Sequence, residues 1–240
     1  MTRPPLVLAL HGTSKPEGQQ MAAELLLAVA AQVPGVTVHV GWADVLTPTL
    51  TDTLAGLGSA VVVPCFLTAG YHVSSDLPAA IRASGGRATL APLLGPSLLE
   101  AVMARLEEAG GPGDAVVLAA AGSRRAASNN QVAQAATDLG RRLGRPVAPA
   151  YLTAAAPSPA QAVADLRAAG HTTVSIASYL LAPGVFADRL KLAGADRVSA
   201  PVGVHRLVVN AITTRYRKAV SHGVGLPDAR ERFTPKEAIA

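Results

Sequence analysis

The chain has 240 residues, of which 50% are hydrophobic and 15% charged, so it can bury a sizeable core and extended disorder is excluded for most of it. Aromatic residues make up only 3%, which argues against platforms that stack nucleic-acid bases, and no zinc-finger spacing or dense basic block accompanies the net charge of +5. We therefore predict a globular protein that binds no nucleic acid. Its positive charge is compatible with a small acidic ligand.

Cysteine content and hydropathy indicate the compartment. Cys65 is the single cysteine and cannot form an internal disulfide, and no secretory signal precedes the first strand-like run. No apolar stretch reaches the roughly 18 residues that a membrane span requires. These observations predict a cytoplasmic protein that is not inserted in a membrane.

Along the chain, short β-branched runs alternate with longer helical patterns, which is typical of a parallel sheet covered by helices. In the first half, strands are predicted at residues 6–10, 36–41, 60–64 and 88–92, and helices at residues 19–32, 50–57 and 97–109. The glycine-rich residues 110–113 indicate a linker. Beyond it, strands are predicted at residues 115–121, 147–151 and 173–179, and helices at residues 129–143, 159–169 and 204–219.

The second half of the chain repeats the first. The segment LVLALHGTS at residues 6–14 aligns with VVLAAAGSR at residues 116–124, and PCFLTAGYHVSSD at residues 64–76 resembles SYLLAPGVFADRL at residues 178–190. A period of about 110 residues indicates a duplicated domain rather than a solenoid. We predict an α/β fold of two similar lobes, each a small parallel β-sheet flanked by helices. The predicted boundaries are 1–110 for the first lobe, 114–220 for the second, degenerate copy and 221–240 for a C-terminal tail.

Three residues suited to metal binding follow neighbouring strands of the first lobe. His11 follows the first strand, Asp44 the second, and His72 lies in the predicted loop after the third. A doubly wound sheet with strand order 2-1-3 brings these strand ends together, and two imidazoles with a carboxylate suit a divalent first-row metal. Asp44 could instead be a turn or cap residue. Because Ala121 and Phe186 are the counterparts of the two histidines, the predicted site belongs to the first copy alone.

The pairing of LxxHGTS near the N-terminus with VVVPCFLTAGYHVSSDLP at residues 61–78 resembles the sirohydrochlorin chelatases, the class II enzymes that insert a metal into the tetrapyrroles of sirohaem and cobalamin biosynthesis. The resemblance covers nearly the whole chain and is to the long, two-copy members. It implies a cleft between the lobes that holds the tetrapyrrole, with His11 and His72 as the metal-binding, proton-abstracting pair. Asp44 stands where the family more often has glutamate, and its shorter side chain can require a bridging water to reach the metal.

The same resemblance implies a polycarboxylate substrate, which basic residues would attract and orient. Arg124 and Arg125 take the places of Ser14 and Lys15 in the repeat, although solvated surface positions are the alternative for each arginine. Phe186 could pack against the macrocycle or fill the lobe interior. The predicted tetrapyrrole-binding residues are Ser14, Gly70, Arg124, Arg125, Phe186 and Arg189.

From these residues we predict a chelatase that inserts Fe²⁺, or next Co²⁺, into sirohydrochlorin without ATP or any cofactor beyond the metal, since no G-x-x-x-x-G-K-[ST] segment is present. Iron is preferred because the chain lacks a histidine-rich tract. One alternative is a non-enzymatic carrier of the tetrapyrrole or the metal. Another is a hydrolase that uses His11, although no G-x-S-x-G elbow occurs. A two-copy chain can build the cleft within itself, so we predict a monomer.

Overall fold

The computed structural model describes residues 3–222, which form two parallel β-sheets of four strands each. The first sheet has the order β2-β1-β3-β4 and the second the order β6-β5-β7-β8, so the predicted 2-1-3 arrangement is confirmed and occurs twice. The strands are β1 Leu6–Leu10, β2 Val38–Trp42, β3 Ala60–Pro64, β4 Ala88–Leu90, β5 Ala115–Ala120, β6 Val147–Tyr151, β7 Val174–Ser178 and β8 Arg197–Val198. This confirms the predicted α/β class with two similar lobes.

Helices cover both sheets. They are α1 Pro16–Gln32, α2 Leu50–Ala55, α3 Leu77–Ala83, α4 Leu99–Glu108, α5 Ala126–Leu143, α6 Pro159–Ala168, α7 Val185–Leu190 and α8 Arg206–Ser221. A π-helical turn at His72–Asp76 runs directly into α3, and a 3₁₀ turn at Gly95–Leu98 runs into α4. Within residues 3–222, no helix combines the length and the apolar character needed to cross a membrane.

Several elements differ from the sequence prediction. The prediction missed α3, α7 and β8, because α3 and α7 lie in segments interpreted as loops at strand ends and β8 has only two residues. It also placed His72 in a loop, whereas His72 begins the π-helical turn. Helix α1 begins at Pro16 rather than at residue 19, since proline is favoured at the first helical position, where its missing N–H costs nothing. The predicted tail at residues 221–240 lies almost entirely outside the described residues.

The core consists mainly of Ala, Val and Leu side chains. The central strands β1, β3, β5 and β7 are buried at every position, as expected for parallel strands covered on both faces. One hydrophobic cluster is continuous from the first sheet through α1, α4 and α8 to the second sheet and α5. The two lobes therefore share a core and do not pack as independent units.

The last helix of each half packs on the other half. Helix α4 contacts β7 of the second sheet, and α8 contacts β3 of the first. Arg215 of α8 donates from Nε to the carbonyl oxygens of Pro92 and Leu93 at 3.0 Å, and Arg105 of α4 donates from Nε to Val202 O at 3.0 Å. This reciprocal exchange of helices fixes the two lobes relative to each other and so fixes the walls of the cleft between them.

Candidate metal and tetrapyrrole site

The structure brings His11, Asp44 and His72 together at the carboxyl edge of the first sheet. One ligand atom from each residue can be chosen so that all three lie within 4.8 Å of one another. The two imidazole rings meet edge to face, with their centroids 4.6 Å apart. Two imidazoles and a carboxylate this close together form a set that suits one divalent first-row ion. Asp44 thus lies beside both histidines despite its shorter side chain.

Hydrogen bonds to both histidines leave the same ring nitrogen free. His72 Nδ1 lies 2.7 Å from Asp76 Oδ2, and His11 Nδ1 lies 3.1 Å from Gly12 O. Since a carboxylate and a carbonyl can only accept, we assign the proton to Nδ1 in each ring. The Nε2 lone pairs of both imidazoles then remain available for a metal ion or a proton.

Asp76 was not identified from the sequence. Its signal was the His-x-x-x-Asp spacing at residues 72–76, which puts the two side chains on one face of a helical turn. Although Asp76 occupies the N-cap position of α3, its side chain accepts no capping hydrogen bond from that helix in the described part of the chain. The carboxylate therefore serves His72, in the arrangement by which acidic residues orient metal-binding imidazoles.

Gly12 allows the loop after β2 to pack over the loop after β1. A Cβ atom on Gly12 would overlap the carbonyl oxygen of Asp44, and Gly12 has a φ of +101°, which favours glycine. The Asp44 N–H donates to His11 O at 2.9 Å across the same contact. A side chain at position 12 would therefore push Asp44 away from His11 and disperse the ligand cluster.

A cavity of about 390 Å³ lies between the lobes beside these residues. His11, Ser14 and Val45 line it from the first lobe, and Phe186 lines it from the second. Cys65 also borders the cavity, but burial raises the pKa of its thiol to about 12, so it stays protonated and is a poor metal ligand. The cavity thus has mainly apolar walls, and the candidate ligand His11 lies at one side.

The other predicted contact residues differ in whether their side chains contact the residues around the site. Arg125 reaches across from the second lobe, with Nη2 3.4 Å from Ser75 Oγ in the turn that carries His72. Arg189 lies over the Phe186 ring, with its guanidinium carbon 5.8 Å from the ring centroid. Arg124 is exposed and has no side-chain partner among residues 3–222. At Gly70, a Cβ atom would meet no atom within 4 Å, so the backbone there faces open space.

Two further contacts between the lobes support the site loops. Lys15, beside the His11 loop, forms an ion pair with Asp188 of α7 at 3.4 Å. The Ala69 N–H donates to Gln131 Oε1 of α5 at 2.9 Å, in the loop that leads to His72. Gln131 and Asp188 could not be identified from the sequence, because no local pattern pairs residues so far apart in the chain. The second lobe thus supports the loops on which the candidate ligands stand.

Comparison with known proteins identifies a repeated domain. The sequence profile of the CbiX family matches the chain twice, over residues 5–109 and 115–219. A sirohydrochlorin cobaltochelatase of Methanococcoides burtonii is 27% identical over 82 residues. That match spans 32% of this chain and 63% of the relative, less than two thirds of the relative's own length.

Two solved structures share the architecture. SirB from Bacillus subtilis with Fe³⁺ is similar with a TM-score of 0.77 and 24% identity, over 92% of this chain and 97% of that one. The sirohydrochlorin chelatase SirB from Bacillus subtilis subspecies spizizenii in complex with cobalt is similar with a TM-score of 0.75 and 22% identity, over 94% and 98%. At these identities the likeness establishes the two-lobed fold.

Proposed function

Because this chain belongs to the CbiX family and carries the family's domain twice, we propose that it is a sirohydrochlorin chelatase, which holds the tetrapyrrole between its lobes and receives a divalent metal at His11, Asp44 and His72. The observation that carries the proposal is the convergence of these three side chains, within 4.8 Å, beside the cavity between the lobes. The resemblance of the chain to proteins named sirohydrochlorin cobaltochelatase and SirB supports the choice of substrate.

The proposed metal ligands are neutral imidazole nitrogens and one carboxylate. His11 and His72 present Nε2, and Asp44 supplies an oxygen and a negative charge. Such a mixed nitrogen and oxygen set suits first-row divalent ions and holds them less tightly than a thiolate set would. Moderate affinity suits an ion that must leave the protein for the tetrapyrrole.

Insertion of a divalent ion into the ring displaces two pyrrole N–H protons, so the macrocycle keeps its charge while the metal enters. A neutral imidazole can hold the ion or accept one of these protons, since its ordinary pKa lies near neutrality. His11 is exposed and His72 half-buried, so a proton taken up by either ring can reach solvent. Asp76, which holds His72 at Nδ1, keeps the His72 ring oriented while its Nε2 changes partner.

We propose Fe²⁺ as the physiological metal, with Co²⁺ as a second substrate, and no ATP or other cofactor. The chain has no histidine-rich tract of the kind that some cobalt- and nickel-handling members of the family carry, and SirB structures with iron and with cobalt share its fold. Affinity alone would not select iron, because divalent metals follow a general order in which Co²⁺ binds more tightly than Fe²⁺. The choice therefore depends on the metal that the cell supplies.

A direct assay tests the activity. Purified protein is mixed with sirohydrochlorin and Fe²⁺, Co²⁺ or Ni²⁺ without nucleotide, and the tetrapyrrole absorption bands are followed. We expect metallation faster than in the protein-free mixture by at least about tenfold with Fe²⁺ and Co²⁺. Equal rates with tight tetrapyrrole binding would identify a carrier instead. The absence of both tetrapyrrole binding and rate acceleration would refute the proposal.

A further inference from the structure

Val45, the residue after Asp44, has an unfavourable backbone conformation. Its φ is +68°, a region that β-branched residues rarely adopt. The Leu46 N–H donates to Asp44 O at 2.8 Å, which closes a three-residue γ-turn around Val45. A γ-turn whose central residue has positive φ is rare and strained. Glycine or asparagine would adopt this conformation at lower cost.

The side chain of Val45 is also poorly placed for stability. It is 57% exposed and lines the cavity between the lobes. Val45 therefore combines backbone strain with an unburied apolar side chain. Features of this kind persist where they serve a site. The backbone of the turn explains how Asp44 is aimed at His11, but it does not explain why the central residue is valine.

The second lobe contains the matching position without the same side chain. Ala154 has a φ of +58°, and its loop packs on Gly122 as the Asp44 loop packs on Gly12. The second lobe thus has the same positive-φ position, where the side chain is only a methyl group. Within residues 3–222, this strained position carries a branched apolar side chain only in the lobe that has the candidate ligands.

We propose that Val45 is a tetrapyrrole-contact residue, whose isopropyl group packs on the apolar face of the macrocycle. The proposal rests on the proposed function and extends it to a residue outside the ligand cluster. Val185, which is 46% exposed, and Phe186 line the same cavity from the second lobe. A flat macrocycle bound there would cover apolar side chains from both lobes and so offset the cost of exposing Val45.

The substitution Val45→Asn tests this proposal, because asparagine has similar size, tolerates positive φ and lacks the apolar face. We expect the melting temperature to rise by about 2–4 °C as strain is relieved. The dissociation constant for metal-free sirohydrochlorin, measured by quenching of tetrapyrrole fluorescence, should rise by about tenfold. Affinity for Co²⁺ alone should change less than about twofold, since the turn that orients Asp44 is preserved.

Ala154→Asn is the matched control, because it relieves the same backbone conformation in the second lobe. It should raise the melting temperature without changing sirohydrochlorin affinity. The proposal would be overturned by a lower melting temperature for Val45→Asn, by unchanged sirohydrochlorin affinity, or by an equal loss of Co²⁺ affinity, which would place its effect on Asp44. If the wild-type protein binds no sirohydrochlorin, both the proposed function and the proposed role of Val45 are refuted. Binding that Val45→Asn leaves unaltered refutes the Val45 role alone.

Discussion

The two lobes share one backbone design, but only the first carries the candidate ligands. Gly12 and Gly122 each pack against a carbonyl of the next loop, that of Asp44 in the first lobe and of Thr153 in the second. The Thr153 N–H donates to Ala121 O at 2.9 Å, as the Asp44 N–H does to His11 O. Ala121, Thr153 and Phe186 thus stand where the first lobe has His11, Asp44 and His72. The scaffold and the chemistry of this fold are therefore separable.

Burial explains why the candidate ligands could differ between the lobes while the backbone scaffold stayed the same. His11 and Asp44 are exposed and His72 is half-buried, so replacing them removes little packing. Surface substitutions of this kind usually alter stability by less than about 0.5 kcal/mol. By contrast, the glycines of both lobes are held by close backbone contacts, and the exchanged helices α4 and α8 tie both lobes into one core. The second lobe thus remains necessary as a wall of the cleft and as a support for the site loops.

The largest effect on activity is expected when a candidate ligand of the first lobe is replaced by a residue that cannot bind a metal, as in the second lobe. His11→Ala and His72→Ala should each lower the metallation rate by about 10²–10⁴-fold, because each removes an imidazole that binds the metal or a proton. Melting temperatures should stay within about 2 °C of the wild type, since His11 is exposed and His72 is only half-buried. His39→Ala, on β2 of the same lobe, is the control and should metallate normally. Near-normal rates in both site variants would remove the assignment.

A smaller effect is expected from Asp76, whose place in the second lobe is taken by the buried Leu190. Asp76→Ala should weaken Co²⁺ binding by about 10–100-fold, because His72 loses the carboxylate that orients it. Asp76→Asn, which keeps an acceptor without the charge, should lie between Asp76→Ala and the wild type. Titration of the cobalt absorption spectrum measures both constants.

The same titration needs a control for the loss of an acidic side chain. Asp138→Asn serves, because Asp138 also pairs within its own helix, with Arg141, but lies on the second lobe. This variant should bind Co²⁺ as the wild type does. If Asp76→Ala and Asp138→Asn behaved alike, the hydrogen bond to His72 would have no part in metal binding.

The smallest expected effect concerns what the second lobe contributes to the substrate. Arg125→Ala should raise KM for sirohydrochlorin about threefold to tenfold, with kcat unchanged, because an exposed guanidinium that meets a substrate carboxylate contributes on the order of 1 kcal/mol. The difference should shrink at high salt. Arg142→Ala, whose side chain pairs with Glu100 on the outer surface, should leave KM unchanged. Equal KM values for Arg125→Ala and the wild type would show that Arg125 is a solvated surface residue without a role in substrate binding.

The sequence by itself determined the alternation of strands and helices, the duplication and the grouping of His11, Asp44 and His72. It could do so because burial leaves a periodic pattern, and because the ends of parallel strands in the order 2-1-3 must meet at one edge. Helix α7 was missed, because its segment was interpreted as the loop equivalent to the one that carries His72.

Only the tertiary structure decided how those residues are held. The bond from His72 to Asp76 depends on a π-helical turn, and the γ-turn at Val45 depends on a carbonyl packed against Gly12. The exchange of α4 and α8 and the bond from Ala69 to Gln131 join residues far apart in the chain. Such contacts follow from how whole elements pack in space, and a local pattern of residues carries no record of that packing.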